Sequence, residues 1–449
     1  MQQQTLAMIQ NCVKHRKVHH TKHGTRLGCP TIARKRKTVQ GILRDMGENY
    51  FRRAFRMSSL TFNKFYASLT DDLREVMRES DKTCCVNGRI PQSLQVAIAL
   101  RFFASGCAYD LSALWGVSHT EVFNSVDFLV DAINRSKNFK LEFPSAHEEQ
   151  RKIASGFAAK SKAGFDCCCG AVDGLLIWTH QPTEEDCELL GVGQKKFHCG
   201  RKNKFGLNLQ AICDADCRFL DISILYGAAS SDLLAFENWS LREKLDIPGF
   251  LAAGLCLFGD NAYVNRWSMA TPYPNVSGFN RQMDAYNFYH SQLRIKIECA
   301  FGMLVRRFGY LQKKAPQKHT MTKVMAVVSC LCRIHNWLID VTGRTQAADI
   351  HPPADEDALT LALDGAVSME MRSGNVVPTQ LLDSGAHFDD DPDRSVRRRR
   401  TVGRQPVIEG GLRDSTRFDA TKFPRENLCQ KVEEMSLTRP SSSVLFRAL

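Results

Sequence analysis

A chain of 449 residues, 43% hydrophobic and 24% charged, has the make-up of a soluble globular protein with room for about two to three domains. No continuous apolar run approaches the roughly 18 residues of a membrane span, and the N-terminus lacks a signal-peptide core, so membrane and secretory roles are not expected. Seventeen scattered cysteines follow no secreted disulfide framework and read as reduced thiols, many of them small core residues.

The formal charge of +12 is unevenly placed. From Met1 to Gln40 there are nine Lys and Arg and no Asp or Glu. Such a block reads as a solvated basic arm over residues 1–45, of the kind that binds nucleic acid or directs a protein to the nucleus; Arg34-Lys35-Arg36-Lys37 fits the second use. Its Cys12, His15, His19, His20, His23 and Cys29 match no closed zinc spacing.

Residues 46–150 read as a helical domain. Apolar residues recur at helical intervals between Tyr50 and Arg78, and a second amphipathic helix follows Pro91 through Leu94, Ile98, Phe102 and Phe103. Then come a short helix from Tyr109, a turn at Gly116, and a helix opened by Ser118 with Glu121 as a capping box, which together read as helix-turn-helix. This pattern places Ser118, His119, Thr120, Asn124 and Ser125 where base edges are reached; a plain helical bundle is the alternative.

From Cys167 the period changes. Cys167 to His180 reads as a central strand carrying Asp173, a carboxylate that is costly there unless paired or metal-bound; a turn cap with Gly174 is the other reading. Phe205–Cys213 and Phe219–Tyr226 form a hairpin, Ser230–Leu245 a helix, Leu255–Asp260 a strand, Met283–Phe308 a long helix and Val324–Ile339 another. The order is α/β with a mixed sheet. Cys187, His198, Cys199 and His180 have no CxxC spacing to favour zinc. Beyond Gly343, residues 343–449 turn polar, with Asp389–Asp393 running into Arg397–Arg400, and read as a largely disordered tail.

Three acids stand out: Asp173 within the first strand, Asp260 ending the short one, and Glu298 beside the buried stripe of the long helix. If they converge they repel unless cations intervene, and two hard divalent ions, Mg²⁺ by default or Mn²⁺, bound by carboxylate oxygens are the apparatus for in-line attack at phosphate. The plainer reading of Glu298 is an exposed residue paired with Arg294. Arg201, Lys202, Arg294, Arg306 and Arg307 supply positive charge for a nucleic-acid backbone.

The segments Gly170-Ala171-Val172-Asp173-Gly174, Gly200-Arg201-Lys202, Asn208 to Asp214, Ser231-Asp232, Gly259-Asp260 with Tyr263, and Arg294 to Phe308 resemble, in this order, the PIF/Harbinger DDE transposases and the nucleases derived from them. The resemblance implies a ribonuclease H-like catalytic domain over 160–342, preceded by a helix-turn-helix region. It also implies Asp173, Asp260 and Glu298 as catalytic metal ligands, DNA terminal inverted repeats and target DNA as substrates, and a Myb-like partner protein. Val305 and Asn261-Ala262 depart from the residues usual in the family and leave the DNA contacts open. A nuclear enzyme that cuts and joins DNA is therefore expected. A domesticated, catalytically silent DNA-binding regulator and a ribonuclease are the alternatives, with homo-oligomerisation left open.

Overall fold

The computed structural model describes residues 35–76, 89–274, 278–348 and 424–440. Most of the basic arm, the Asn87-Gly88 loop and the Asp389–Arg400 stretch lie outside the described residues.

A mixed sheet of six strands forms the spine. Strand β1 (Cys168–Thr179) pairs antiparallel with β3 (Lys204–Cys213), setting Asp173 opposite Ala211 and Gly174 opposite Gln210. β4 (Phe219–Gly227) returns along β3, and the short β2 (His198–Cys199) pairs with the start of β3. On the other side of β1, β5 (Cys256–Phe258) and β6 (Met269–Ala270) run parallel. Small residues let β1 be covered on both faces: a Cβ on Gly170 would lie 2.6 Å from Ile212. An antiparallel hairpin joined to a parallel half, with helices on both faces, is the ribonuclease H-like arrangement.

Two long helices cover one face. α11 (Arg281–Arg307), capped by the Asn280 side chain, lies across β1, β3 and β5, and α12 (Met321–Ala348) packs beside it. Over Met321–Gly343, α12 is long and apolar enough to cross a membrane by length and composition, yet 72% of that apolar window is buried inside the protein. The other face holds a second apolar cluster contributed by α7 (His147–Ala158), α9 (Asp232–Glu237) and α10 (Ser240–Leu245). The single helix expected over Ser230–Leu245 is broken in two. Trp239 takes an extended backbone that seats its indole, 1% exposed, against Phe236 at 6.1 Å. Helix α8 (Glu184–Leu190) sits in the β1–β2 connection, and its Asp186 accepts from Met321 N–H at 2.9 Å.

The N-terminal region is helical: α1 (Val39–Phe55), α2 (Ser59–Ser68), α3 (Thr70–Val76), α4 (Gln92–Phe103), α5 (Ala108–Trp115) and α6 (His119–Arg135). α1 begins inside the stretch expected to be arm, because Thr38 caps Gly41 N–H and Ile42 is buried with Phe51 and Phe55. These helices share one apolar cluster with the α11 face of the sheet. Phe65 meets Trp337 edge-on at 5.1 Å, and the Asn134 side chain donates to Ala326 O at 2.9 Å.

The polar tail carries one more element. α13 (Pro424–Glu434) buries Leu428, Cys429 and Val432 against α11, and Gln282 donates to Glu433 at 2.6 Å. Past its end, Tyr289 donates to Thr438 O at 3.2 Å and Arg439 pairs with Asp284 at 2.9 Å. Three buried side chains in an otherwise polar stretch are too few to stand out by composition. Deleting residues 424–449 is expected to destabilise the protein by about 2–4 kcal/mol, the net of apolar burial over chain ordering. A urea midpoint equal to that of the full chain would contradict this.

Candidate active site

Alternation along β1 turns Ala171, Asp173 and Ile177 toward α11. Asp173 lies mid-strand, not at a turn, although its Oδ1 does accept from Gly174 N–H at 2.8 Å. Its Oδ2 accepts from Arg294 Nη1 at 3.1 Å. One turn along α11, the same guanidinium pairs through Nη2 with Glu298 Oε1. The pairing expected of an exposed Glu298 is thus present without the exposure, since its side chain is only 12% exposed. Asp260 lies two residues past the end of β5, where its Oδ1 accepts from Ala262 N–H at 2.8 Å.

The electrostatics tie the four groups together. Burial raises the Asp173 carboxyl to about 7; Asp260 and Glu298 push the same way, and Arg294 opposes them. Asp260 is also raised, first by burial and then by Asp232 and Glu298, against the Ala262 N–H and Arg294. Burial works against the Arg294 charge, but Glu298, Asp173 and Asp260 outweigh it and hold its pKa above the ordinary value. One guanidinium does not balance three carboxylates, so an acid here keeps its proton near neutral pH or draws in further cations.

The donor set is all carboxylate oxygen from a strand, a strand-end loop and a helix, the type that suits hard divalent ions. Among the described residues, no three acid, His or Cys side chains are gathered at metal-ligand spacing as they stand. Between Asp173 and Glu298 that space is bridged by Arg294, the protein's own cation. The residues fit a metal once that guanidinium gives way.

A fourth acid adjoins the site. Asp232, the first residue of α9, accepts through Oδ1 from Asn208 Nδ2 at 3.0 Å and Gln210 Nε2 at 2.9 Å. The Gln210 carbonyl then faces Tyr263, whose hydroxyl donates to it at 2.7 Å. A polar chain from α9 through β3 thereby tethers the loop that holds Asp260. A Cβ on Gly174 would fall 2.2 Å from Asp232 Oδ1, which is why glycine occupies a strand interior here. Reasoning from sequence placed Asp232 only as a helix opener; the alternation of Asn208 and Gln210 on one face of β3 was the available signal.

The expected nucleic-acid contacts divide. Ser118 and Thr120 are exposed at the start of α6, and His119 stacks on Tyr109 at 4.3 Å. Asn124 donates to Glu121 at 3.0 Å, so Glu121 is turned along the helix and only the Ser118 half of the capping box forms. Ser125 is wholly buried and bonded to Glu121 O. Arg201 is exposed and Lys202 partly so in the turn before β3; Arg306 is exposed. Ser125 and Arg307 are corrected, since both are buried. Arg294 stands among the carboxylates, and Arg307, 1% exposed, donates to His335 Nδ1 at 3.2 Å. Burial pulls the Arg307 pKa down to about 9, and its place on the buried stripe of α11 keeps it from DNA.

A carboxyl whose folded pKa lies above its unfolded value binds more protons folded than unfolded between the two, so stability falls as pH rises through that window. For metal-free protein, stability is expected to fall between about pH 4 and 7 through Asp173, raised to about 7. Asp173→Asn should flatten that part of a denaturation profile measured against pH; an unchanged slope would remove Asp173 from this role.

Residues 172–336, which span β1 through most of α12 and contain all three acids, match the family model described as DDE superfamily endonuclease. The chain is also similar to Protein ALP1-like of Arabidopsis thaliana, 25% identical over 311 residues, which cover 66% of this chain and 72% of the relative. No solved structure matches. Asp173, Asp260 and Glu298, grouped around one guanidinium on a mixed sheet of this topology, all fall within the stretch that is similar to the DDE superfamily endonucleases.

Proposed function

We propose that the protein is a divalent-metal-dependent DNA endonuclease of transposase type, cutting phosphodiesters with Asp173, Asp260 and Glu298 as its metal-holding acids. The observation that supports this is that Arg294 pairs with Asp173 from β1 and Glu298 from α11, with Asp260 close enough to act on the same guanidinium. The likeness of residues 172–336 to DDE superfamily endonucleases supports nuclease-type chemistry on DNA in general. The strand-joining step, the choice of Mg²⁺ or Mn²⁺, and terminal inverted repeats as substrate are the finer proposal.

Asp173, Asp260 and Glu298 would hold a pair of divalent ions, which would supply an activated water and charge stabilisation for an in-line displacement. This chain's residues do the rest. Asp173 is held rigidly by β1, and Gly174 leaves room for the Asp232 network behind it. Asp260 is fixed by Ala262 N–H and by the Tyr263 tether. Arg294 holds Glu298 and Asp173 in place, and its guanidinium is a forked donor of the kind that suits a phosphate. The exposed N-terminal turn of α6, with Ser118, His119 and Thr120, is the proposed base-reading element. The basic arm directs nuclear entry, and a Myb-like protein is the proposed partner.

A catalytically silent DNA-binding regulator is the second reading. Its support is that Arg294 already pairs with two of the acids, so the fold tolerates them without metal. The two readings separate with full-length protein, Mg²⁺ or Mn²⁺, and duplex DNA carrying the element's terminal repeats. The expected result is nicking that falls at least about 100-fold in Asp260→Ala, beyond the loss typical of metal-supporting residues, with DNA binding kept. Binding without cleavage by the wild type would favour the silent regulator, and equal cleavage by the variant would place the chemistry elsewhere.

A further inference from the structure

On the face of β1 that carries Gly174, Leu176 and Trp178, Asp232 at the start of α9 lies against Gly174, and Leu176 and Trp178 remain partly exposed. At the far end of this face the sequence is strongly basic. Lys204 lies over the Trp178 ring at 5.4 Å, with Arg201 and Lys202 in the turn before it. Lys195 and Lys196 are exposed beside them, in the turn that packs against Gly227 at the end of β4.

The loop between α11 and α12, to which no role has been assigned, closes on the same place. Ala315 N–H donates to Trp178 O at 3.0 Å, which pins Lys313 and Lys314, both exposed, at the end of β1. Three residues on, Lys318 lies over the Phe123 ring at 5.4 Å. Phe123 packs edge-on to His119 at 5.1 Å, and His119 stacks on Tyr109, which is 71% exposed. A chain of contacts thus joins the basic end of the sheet to the N-terminal turn of α6. Glu184 and Glu185 on α8 mark its border where α12 begins.

We propose that this surface is a track for the phosphate backbone of duplex DNA, with Lys313, Lys314 and Lys318 as the bridge between the sheet end and the α6 turn. The proposal rests on the nuclease reading and says where the substrate lies. Cations from two separate segments, interleaved with partly exposed aromatic rings, suit a backbone rather than a small anion. Five residues of strand, about 16 Å at about 3.3 Å each, separate Asp173 from Trp178. That is about five base pairs of duplex at about 3.4 Å each.

The test uses full-length protein and fluorescence anisotropy with labelled duplex DNA over a range of salt. The triple variant Lys313→Glu, Lys314→Glu, Lys318→Glu is compared with Arg151→Glu, Lys152→Glu, Lys162→Glu, which reverses exposed cations at the opposite end of β1. The bridge variant is expected to bind at least tenfold more weakly at about 0.15 M salt. It should also flatten the plot of log K against log salt by about 2 to 3 units, at about 0.9 per phosphate contact. An unchanged slope, an equal loss in the control triple, or tighter wild-type binding to duplex RNA than to DNA would overturn the track. Wild-type protein that binds no nucleic acid at all would instead overturn the nuclease reading beneath it.

Discussion

Three carboxylates gathered in a mostly enclosed space are unstable by themselves, and everything around Asp173, Asp260 and Glu298 answers to that repulsion. Arg294 meets part of it, bonding to Asp173 across the sheet and to Glu298 along the helix. The arrangement leaves an excess of negative charge in a poorly solvated place, which keeps the Asp173 and Asp260 pKa values high. An excess of this kind is relieved by a bound proton or by a further cation. Burying such a set without function would be costly, since apolar residues of similar size would stabilise the fold more.

The backbone makes room for this charge with glycine. Gly174 admits Asp232 and Gln210 against β1, and a Cβ on Gly259 would lie 2.8 Å from the Tyr263 ring that closes over the Asp260 loop. Both glycines adjoin the candidate acids in sequence, and both leave room for a side chain that lies directly on the backbone there. The polar chain Asp232, Gln210, Tyr263 does for Asp260 what Arg294 does for Asp173 and Glu298: it fixes a carboxylate that a three-residue strand could not hold by pairing alone.

Much of this was legible in the residues because period and position agreed. β3 and β4 follow from alternation and the Asp214 turn, α6 from its Ser118 cap, and α11 from the stripe Leu293, Ile297, Leu304. What was misread came from letting residue type outweigh position. Arg307 falls three residues after Leu304 on the buried stripe and is core, while Arg306, one step round the helix, is exposed. Ser125 likewise sits between Val122 and Val126 on the buried side of α6. The break at Trp239 and the docking of α13 depend on partners distant in sequence, an apolar cluster in one case and the flank of α11 in the other, and local pattern carries no trace of either. The acid triad was readable as three candidates and Arg294 as the partner of Glu298, but its bond to Asp173 was not, because that forms only when β1 and α11 are packed together.

β1 links the two halves of the proposed chemistry. Its middle carries the acid that needs cations, and its end, through Trp178, anchors both basic segments that suit a polyanion. Charges of opposite sign are thus separated along one rigid element rather than mixed. Under the proposed reading, the lysines attract a polyanion and the acids repel it, so the two ends of β1 act on a duplex in opposite senses. That polarity requires a stiff strand between the two charges, which explains why the longest strand of the sheet, and not a loop, carries Asp173.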